Sequence, residues 1–500
     1  MKLRELLAEI RVVNLSGQAD LEISGIAYFS SLVEPGNLFV AIRGLKADGH
    51  DFLPEAIMRG AAAVISERQK PEGLDITWVK VTDAREALAL TSAAFYGYPA
   101  LKLKTIGITG TKGKTTVSYM LEAILQAAGF NPGVIGTVDY RWNQQRLTAA
   151  RTTPEAPDIQ KILKQMADSG VTHCILEVSS HSLELKRVLG IGFDLAIFTN
   201  LSGEHLDYHQ TMENYFEAKK KLFFLNHKRQ ASIVNIDDVW GQKLISELPM
   251  RTVTFGFRPE ALVRAENFDL EGQEMKAQVS YPGGKLNFRT KLIGRHNLYN
   301  CLAAISAALA LSVSPQAIVK GIGQLQSIPG RLEFVPNSLG FSIVVDYAHT
   351  DNALDNLLQA VRSLKPARII LIFGCGGDRD RSKRSRMGEV AARLADWTII
   401  TSDNPRSEEP EKIIQDIEQG FLKTDSRNYE QIIDRRLAIQ KALTLATAGD
   451  MVVIAGKGHE TYQIFKDKTL PFSDYETALE ITKSLEEKKQ NGFPDPQPAG

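Results

Sequence analysis

Cysteine is almost missing. Cys174, Cys301 and Cys375 are the only three in 500 residues, too few and too scattered for a disulfide framework or a thiolate zinc site. A reducing compartment suits such a chain, and the cytoplasm is the expectation. Net charge is missing as well: Lys plus Arg equals Asp plus Glu at 59 each. That balance argues against a nucleic-acid partner and against an anionic membrane surface. Long hydrophobic runs are also lacking. The longest nearly apolar stretch, CLAAISAALALSV at 301–313, is too short to span a bilayer. The opening MKLRELLAEIRVV places Glu5 and Glu9 where a secretory leader needs an unbroken apolar core. No internal repeat is visible. What remains is the composition of a globular protein, 43% hydrophobic and 24% charged. Its length exceeds one ordinary core, so three domains are expected. A monomer is the default, since the sequence does not encode the oligomeric state.

Three α/β blocks follow one another. Residues 1–100 mix short apolar runs (NLFVAI, AAAVIS, ITWVKV) with helical patterns, a small α/β domain ending at Gly97 and Pro99. Residues 101–330 open with the strand-like KTIGITG and continue through THCILEVSS, FDLAIFTNL and ASIVNID, with helical patterns between them. This alternation predicts a mostly parallel sheet of the phosphate-loop ATPase kind. After Pro329, Gly330 and Pro336, residues 331–490 repeat it with FSIVVDYAH, ARIILIFG, WTIITSD and DMVVIAG. A doubly wound, Rossmann-like third domain is expected, without a dinucleotide fingerprint. The tail NGFPDPQPAG, 491–500, reads as disordered.

The sharpest local signal is GITGTKGKTTVSYMLEAILQAAG, 107–129. Apolar residues at 117, 120, 121, 124, 125 and 128 form a helical stripe, and Gly129 is a natural stop. Strand, glycine-rich turn and helix in that order can cradle phosphates on backbone N–H groups. Lys114 would reach the terminal phosphates and Thr115 would offer a hydroxyl to Mg2+. One position departs from the usual loop: Ile108 stands where a glycine is common. A plain strand-to-helix turn is the bland alternative.

Glu177 closes the run LEVSSH, where a carboxylate at a strand's carboxyl edge could share in binding Mg2+, or could simply start a helix. TNLSGEHLDYH gathers Glu204, His205, Asp207 and His209 at a spacing that matches no zinc signature. In the third block, four strand-like runs each end in polar loops, with Asp346, Tyr347, His349 and Asp351 after the first and Arg379, Asp403, Arg406, Gly456 and Glu460 after the other three. Such loops converge in a doubly wound sheet. Arginine forks beside acids suit a zwitterion with carboxylate and ammonium groups.

The shortened loop TGTKGKTT resembles that of the Mur ligases and their relative folylpolyglutamate synthase, ATP-dependent enzymes that join an amino acid to a carboxylate. The resemblance runs from about residue 25 to 480, with the motifs in family order. It implies ATP contacts from Gly110, Thr111, Lys112, Gly113, Lys114, Thr115 and Thr116. His296, Asn297 and Asn300 of GRHNLYN, with Arg331, Asp346, His349 and Asp351, would complete that site. It implies metal ligation by Thr115, Glu177, His205 and a carbamylated lysine in YFEAKKKLFF, Lys219 or, one register on, Lys220. Lys114, Glu177, His205 and Lys219 would carry catalysis. Ser30, Thr152, Thr153, Ser179 and Arg187 would hold a UDP-sugar dipeptide. At the first of these the family often has Asp-Ser-Arg, where this chain has Phe29, Ser30 and Ser31. Arg379, Asp403, Asn404, Pro405, Arg406, Gly456 and Glu460 would hold the incoming amino acid. The DNPR box, followed by Glu408 and Pro410, is similar to that of members selecting meso-diaminopimelate. The implied reaction joins meso-diaminopimelate to UDP-MurNAc-L-Ala-D-Glu at the expense of ATP, with Mg2+, during peptidoglycan precursor synthesis. A lysine-adding ligase, a folylpolyglutamate synthase-like ligase and a non-catalytic nucleotide switch are the alternatives.

Overall fold

The computed structural model describes residues 1–44, 47–225, 231–248, 252–271 and 274–490; the tail read as disordered lies outside them. The chain divides into two compact units. One comprises Met1–Arg264, Ser280–Gly284 and Asn300–Gly321, and the other Ala265–Val279, Lys285–Tyr299 and Ile322–Gly500. The architecture is α/β throughout, with helices on mainly parallel sheets.

The first unit holds two sheets. The smaller has the order Val12–Ser16, Thr77–Val81, Ala63–Ser66, Asn37–Val40, Gly25–Ala27, parallel apart from its first strand. In the larger, Lys104–Thr109 lies at the centre, between Leu195–Phe198 and His173–Glu177, all parallel. Ala231–Asn235 continues one side and Pro132–Ile135 the other. Beyond Pro132–Ile135, Asp139–Trp142 and Gln145–Thr148 add an antiparallel hairpin that the sequence pattern did not announce. The central strands read as continuous apolar runs because both faces are covered; Ile106, Ile108, Ile175, Ala196 and Ile197 are fully buried.

In the second unit a six-stranded sheet runs Glu333–Phe334, Ser342–Asp346, Met451–Ala455, Ile369–Phe373, Trp397–Ile400, Tyr429–Gln431. All but the first are parallel. Met451–Ala455, late in the chain, inserts between two earlier strands, so the winding reverses there. Loops at the carboxyl ends of strands flanking such a point form a crevice. Those loops are 347–350, 374–381, 401–409 and 456–461. The helix expected from Asn352 starts one residue earlier, at Asp351, because Thr350 caps it by accepting from the Ala353 N–H at 3.3 Å.

Candidate functional site

In the first unit the helix Lys114–Ala127 begins directly behind the glycine-rich loop. Gly113 has φ +90°, and a Cβ there would sit 2.3 Å from Asn300 Oδ1, so backbone conformation and space both require glycine. The loop is pinned by the segment after the next strand. Thr111 N–H donates to Asn200 O and Lys112 N–H to Asn200 Oδ1, both at 2.9 Å, while Thr199 donates to Lys112 O at 2.6 Å. Lys112 also pairs with Glu204 at 3.0 Å. Lys114 curls into the loop and donates to Gly110 O and Thr111 O at 2.9 and 3.0 Å. Thr115 and Thr116 are buried in the first turn.

Glu177 is the last residue of its strand, not the first of a helix; Ser179 caps the helix that follows. Its buried carboxylate gathers donors from two sides: Thr115 Oγ1 at 2.9 Å, Thr137 Oγ1 at 2.8 Å and Thr137 N–H at 3.2 Å. Thr137 Oγ1 lies 3.1 Å from Thr152 Oγ1. Thr153 Oγ1 donates to Glu177 O at 2.8 Å and accepts from Ser179 N–H at 3.1 Å. Arg187 donates to Thr153 O at 3.1 Å and pairs with Glu155 at 2.7 Å. Thr115, Glu177, Thr152, Thr153, Ser179 and Arg187 therefore form one connected polar surface.

The triple lysine separates by environment. Lys220 pairs with Glu217 and Glu247, and Lys221 with Glu184. Lys219 alone turns inward: it is 1% exposed and donates to Gly110 O at 2.8 Å. Burial first, and then the Lys114 cation, push its ammonium well below the ordinary lysine range. His205, with a left-handed backbone at φ +59°, packs edge-on against His181 with ring centroids 5.0 Å apart. Burial lowers its pKa to about 4, so the imidazole is neutral at physiological pH. Among the described residues no three His, Cys, Asp or Glu side chains already form a metal cage. Thr115 and Glu177, however, are hard oxygen donors in direct contact, a pair that suits Mg2+ sharing its sphere with phosphate oxygens. Ser30, in the small N-terminal sheet's unit, donates to Glu55 at 2.7 Å.

In the second unit the four loops at the sheet's carboxyl edge meet. Arg406 has φ +52°, donates its N–H to Ile464 O at 3.0 Å, and sends Nη1 to Gly377 O at 2.8 Å. Arg379 lies beside it: a Cβ built on Gly376 would be 2.8 Å from Arg406 Nη1 and 3.8 Å from Arg379 Cγ. Burial, then the neighbouring Arg379 charge, lowers the Arg406 pKa. Two adjacent guanidinium groups of this kind are stabilised by an incoming carboxylate. Opposite charge stands next to them. Asn404 Nδ2 donates to Glu460 Oε2 at 2.8 Å, and Lys457 pairs with Glu460 at 3.0 Å and Asp403 at 3.5 Å. Pro405 O accepts from Glu408 N–H, and Gly456 N–H donates to Asp346 O.

The remaining residues expected at the nucleotide occupy two places. Asn300 belongs to the first unit, against the glycine-rich loop. His296 and Asn297 lie in the second unit, where Asn297 is buried and bonds to Ile293 O at 2.8 Å. Arg331 stacks over the Tyr347 ring at 4.8 Å, and Asp346 accepts from Leu332 and Ala348 N–H groups. His349 Nδ1 meets Tyr347 O, and Asp351 pairs with Arg386. Burial drops His296 and His459 from 6.5 to about 4. Both are neutral in the folded chain and charge more readily when unfolded, so the stability they contribute is complete above pH 6.5 and is lost as pH falls toward 4. Urea titrations should show a falling midpoint across that interval, and the fall should lessen in His296→Gln.

The chain matches three family models in sequence: Mur ligase family, catalytic domain, at residues 22–96; Mur ligase middle domain at 108–308; and Mur ligase, glutamate ligase domain, at 330–458. A Clostridium acetobutylicum protein named UDP-N-acetylmuramoyl-L-alanyl-D-glutamate--2,6-diaminopimelate ligase 1 is 42% identical, covering 97% of this chain and 100% of its own. The chain belongs to the Mur ligase family. An Alkaliphilus metalliredigens relative of this Mur ligase, named for the same reaction, is 43% identical over 97% of this chain and 98% of its own. A solved structure of a UDP-N-acetylmuramoyl-L-alanyl-D-glutamate--2,6-diaminopimelate ligase superposes with a TM-score of 0.70 at 31% identity, covering 97% of this chain and 99% of that one.

Several residues that shape the ligase's sites have no local sequence signal. Thr137 sits in an unremarked loop yet supplies two donors to Glu177. Glu408 is engaged within the fold: the fully buried Arg384 grips it with Nη1 and Nη2 at 3.0 and 2.8 Å, and Asp378 N–H adds a bond at 2.7 Å. It braces the glycine loop behind Arg379. No helix among the described residues is long and apolar enough to cross a membrane.

Proposed function

We propose that this Mur ligase adds meso-diaminopimelate to the D-Glu carboxylate of UDP-MurNAc-L-Ala-D-Glu, consuming ATP with Mg2+, as a monomer in the cytoplasm, within peptidoglycan precursor synthesis. The observation that carries the reading is that Arg379 and Arg406 stand side by side on the same sheet edge whose loops carry the acids Asp403 and Glu460. A zwitterionic amino-acid end needs both halves, and the full-length likeness to relatives named for this reaction supports the choice.

A carboxylate is a poor electrophile, so its oxygen first takes the terminal phosphoryl group of ATP, giving an acyl phosphate and ADP. The free amine then attacks the acyl carbon, the C–O bond to phosphate breaks, and an amide and phosphate result. Lys114 and the N–H groups at the start of helix Lys114–Ala127 hold the phosphates and offset the charge on the transferring group. Thr152, Thr153, Ser179 and Arg187 orient the carboxylate, and Ser30 contacts the nucleotide end. His296, Asn297, Arg331, Asp346, His349 and Asp351 serve the ATP. Mg2+ held by Thr115 and Glu177, with His205 and a carbamylated Lys219 at a second position, would supply charge neutralisation. Asp403 and Glu460 take the ammonium, while Arg406 takes the carboxylate that lysine lacks.

Phosphate release measured with ATP, UDP-MurNAc-L-Ala-D-Glu and either meso-diaminopimelate or L-lysine tests the reading. Turnover with the first amine and little with the second is expected; preference for lysine would sink it. The neutral amine of Lys219 is the form that combines with CO2, losing a proton to give a carbamate. A 13C carbamate resonance should therefore appear under 13CO2, and be missing in Lys219→Ala together with most of the activity.

A further inference from the structure

Lys457 has no part in the reaction as described, yet it is an ammonium with no solvent exposure at all. Its Nζ lies 3.0 Å from Glu460 Oε2, 3.1 Å from Asn404 Oδ1 and 3.5 Å from Asp403 Oδ1. The backbone N–H of Ile464 also donates to Asn404 Oδ1, at 3.0 Å. With two donors on that oxygen, the amide orientation is fixed and Nδ2 is turned onto Glu460. Lys457 thus ties together the loops after Met451–Ala455 and Trp397–Ile400.

The charges sharpen the point. Arg435 borders this cluster, but it is neutralised by Asp474 through bonds at 2.7 Å from Nε and from Nη2, both residues being fully buried. Arg406 also lies close to both acids, but on the reading above it is neutralised by the substrate carboxylate it binds; with that carboxylate in place, Asp403 and Glu460 stand against one lysine: a single excess negative charge. Asp403 Oδ1 is buried and makes no hydrogen bond among the described residues, leaving the 3.5 Å ion pair as its interaction with Lys457. A buried oxygen in that state is poised for one further donor.

We infer that Lys457 is a positioning residue that sets the amine pocket to one excess negative charge and holds Asn404 and Glu460 in place, so that the pocket accepts one ammonium group. The inference rests on the diaminopimelate reading above. Removing the lysine cation leaves the buried carboxylate of Asp403 and the partly buried one of Glu460 without the cation they share, and they then take up a proton or a solvent cation in competition with the substrate amine.

The test compares wild type, Lys457→Gln, Glu460→Gln and the double variant, each checked for folding by thermal melt. In Lys457→Gln the KM for meso-diaminopimelate should rise about tenfold or more, in keeping with an unpaired buried charge. Its kcat and its KM for ATP should stay within about threefold, since no reacting atom is touched. In the Glu460→Gln background, where the amide already removes one negative charge, the same lysine substitution should cost about threefold at most. An unchanged KM in Lys457→Gln, a loss confined to kcat, or the same cost in both backgrounds would overturn the inference. So would failure of both Lys457→Gln and Lys457→Met to fold while Lys457→Arg folds, which would assign the lysine to the core. Inability of the wild type to use diaminopimelate would instead strike the functional reading itself.

Discussion

Arg406→Lys raises the KM for meso-diaminopimelate by about one to two orders of magnitude and leaves the KM for ATP nearly unchanged, as loss of one charge-assisted hydrogen bond of about 1.5–3 kcal/mol requires. The guanidinium is placed by backbone rather than by chance. Its residue is held at φ +52° with the N–H on Ile464 O, and Nη1 rests on Gly377 O. A lysine there can keep the charge but cannot offer a planar fork to a carboxylate. The cost should be specific to the distal carboxylate. Turnover with L-lysine, however slow, should change little, so the preference for diaminopimelate narrows by the same factor. Steady-state kinetics with both amines measure it; an unaltered preference would remove Arg406 from the binding site. Arg379→Lys should act in the same direction but less, since its guanidinium donates only to the neighbouring Asp378 O among the bonds described.

Legibility from sequence divided along the boundary between local and tertiary information. The strand–loop–helix unit was readable because strand, glycine turn and amphipathic helix are contiguous, and the helix Lys114–Ala127 carries the predicted stripe. The four carboxyl-edge loops were readable because parallel strands announce themselves as apolar runs, and topology brings their ends together without any long-range information. The lysine register was not readable from periodicity: Lys219, Lys220 and Lys221 are equivalent on paper, and their surroundings distinguish them, Gly110 O for the first and surface carboxylates for the others. Glu408 looked like part of the ligand box by adjacency. Its partner Arg384 is 24 residues away, and only the fold brings the two together. Thr137 and Lys457 illustrate the same limit. Thr137 stands in no motif, Lys457 stands in the polar run AGKGHETYQ without a role that the run assigns it, and each becomes meaningful through its neighbours in the fold.

Glu177→Gln should lower kcat at least about a hundredfold, the scale on which even supporting residues of a metal site act. The carboxylate accepts from Thr115 Oγ1, Thr137 Oγ1 and Thr137 N–H, so every neighbour presents a donor. A Gln amide must place its own NH2 against one of them, which both breaks a bond and removes the negative charge that would face Mg2+. Two readouts separate the metal role from simple disruption. Raising Mg2+ through concentrations that already saturate the wild type should recover part of the variant's activity, because the defect is in metal affinity. Thr137→Val removes one donor but leaves the Glu177 charge, and should therefore lower activity less and show a weaker Mg2+ response. Equal losses in the two variants, with no recovery by Mg2+, would make Glu177 a packing residue that organises the loop around Thr137. In that outcome the hydroxyl of Thr115, in the first turn of helix Lys114–Ala127, would remain as the metal ligand.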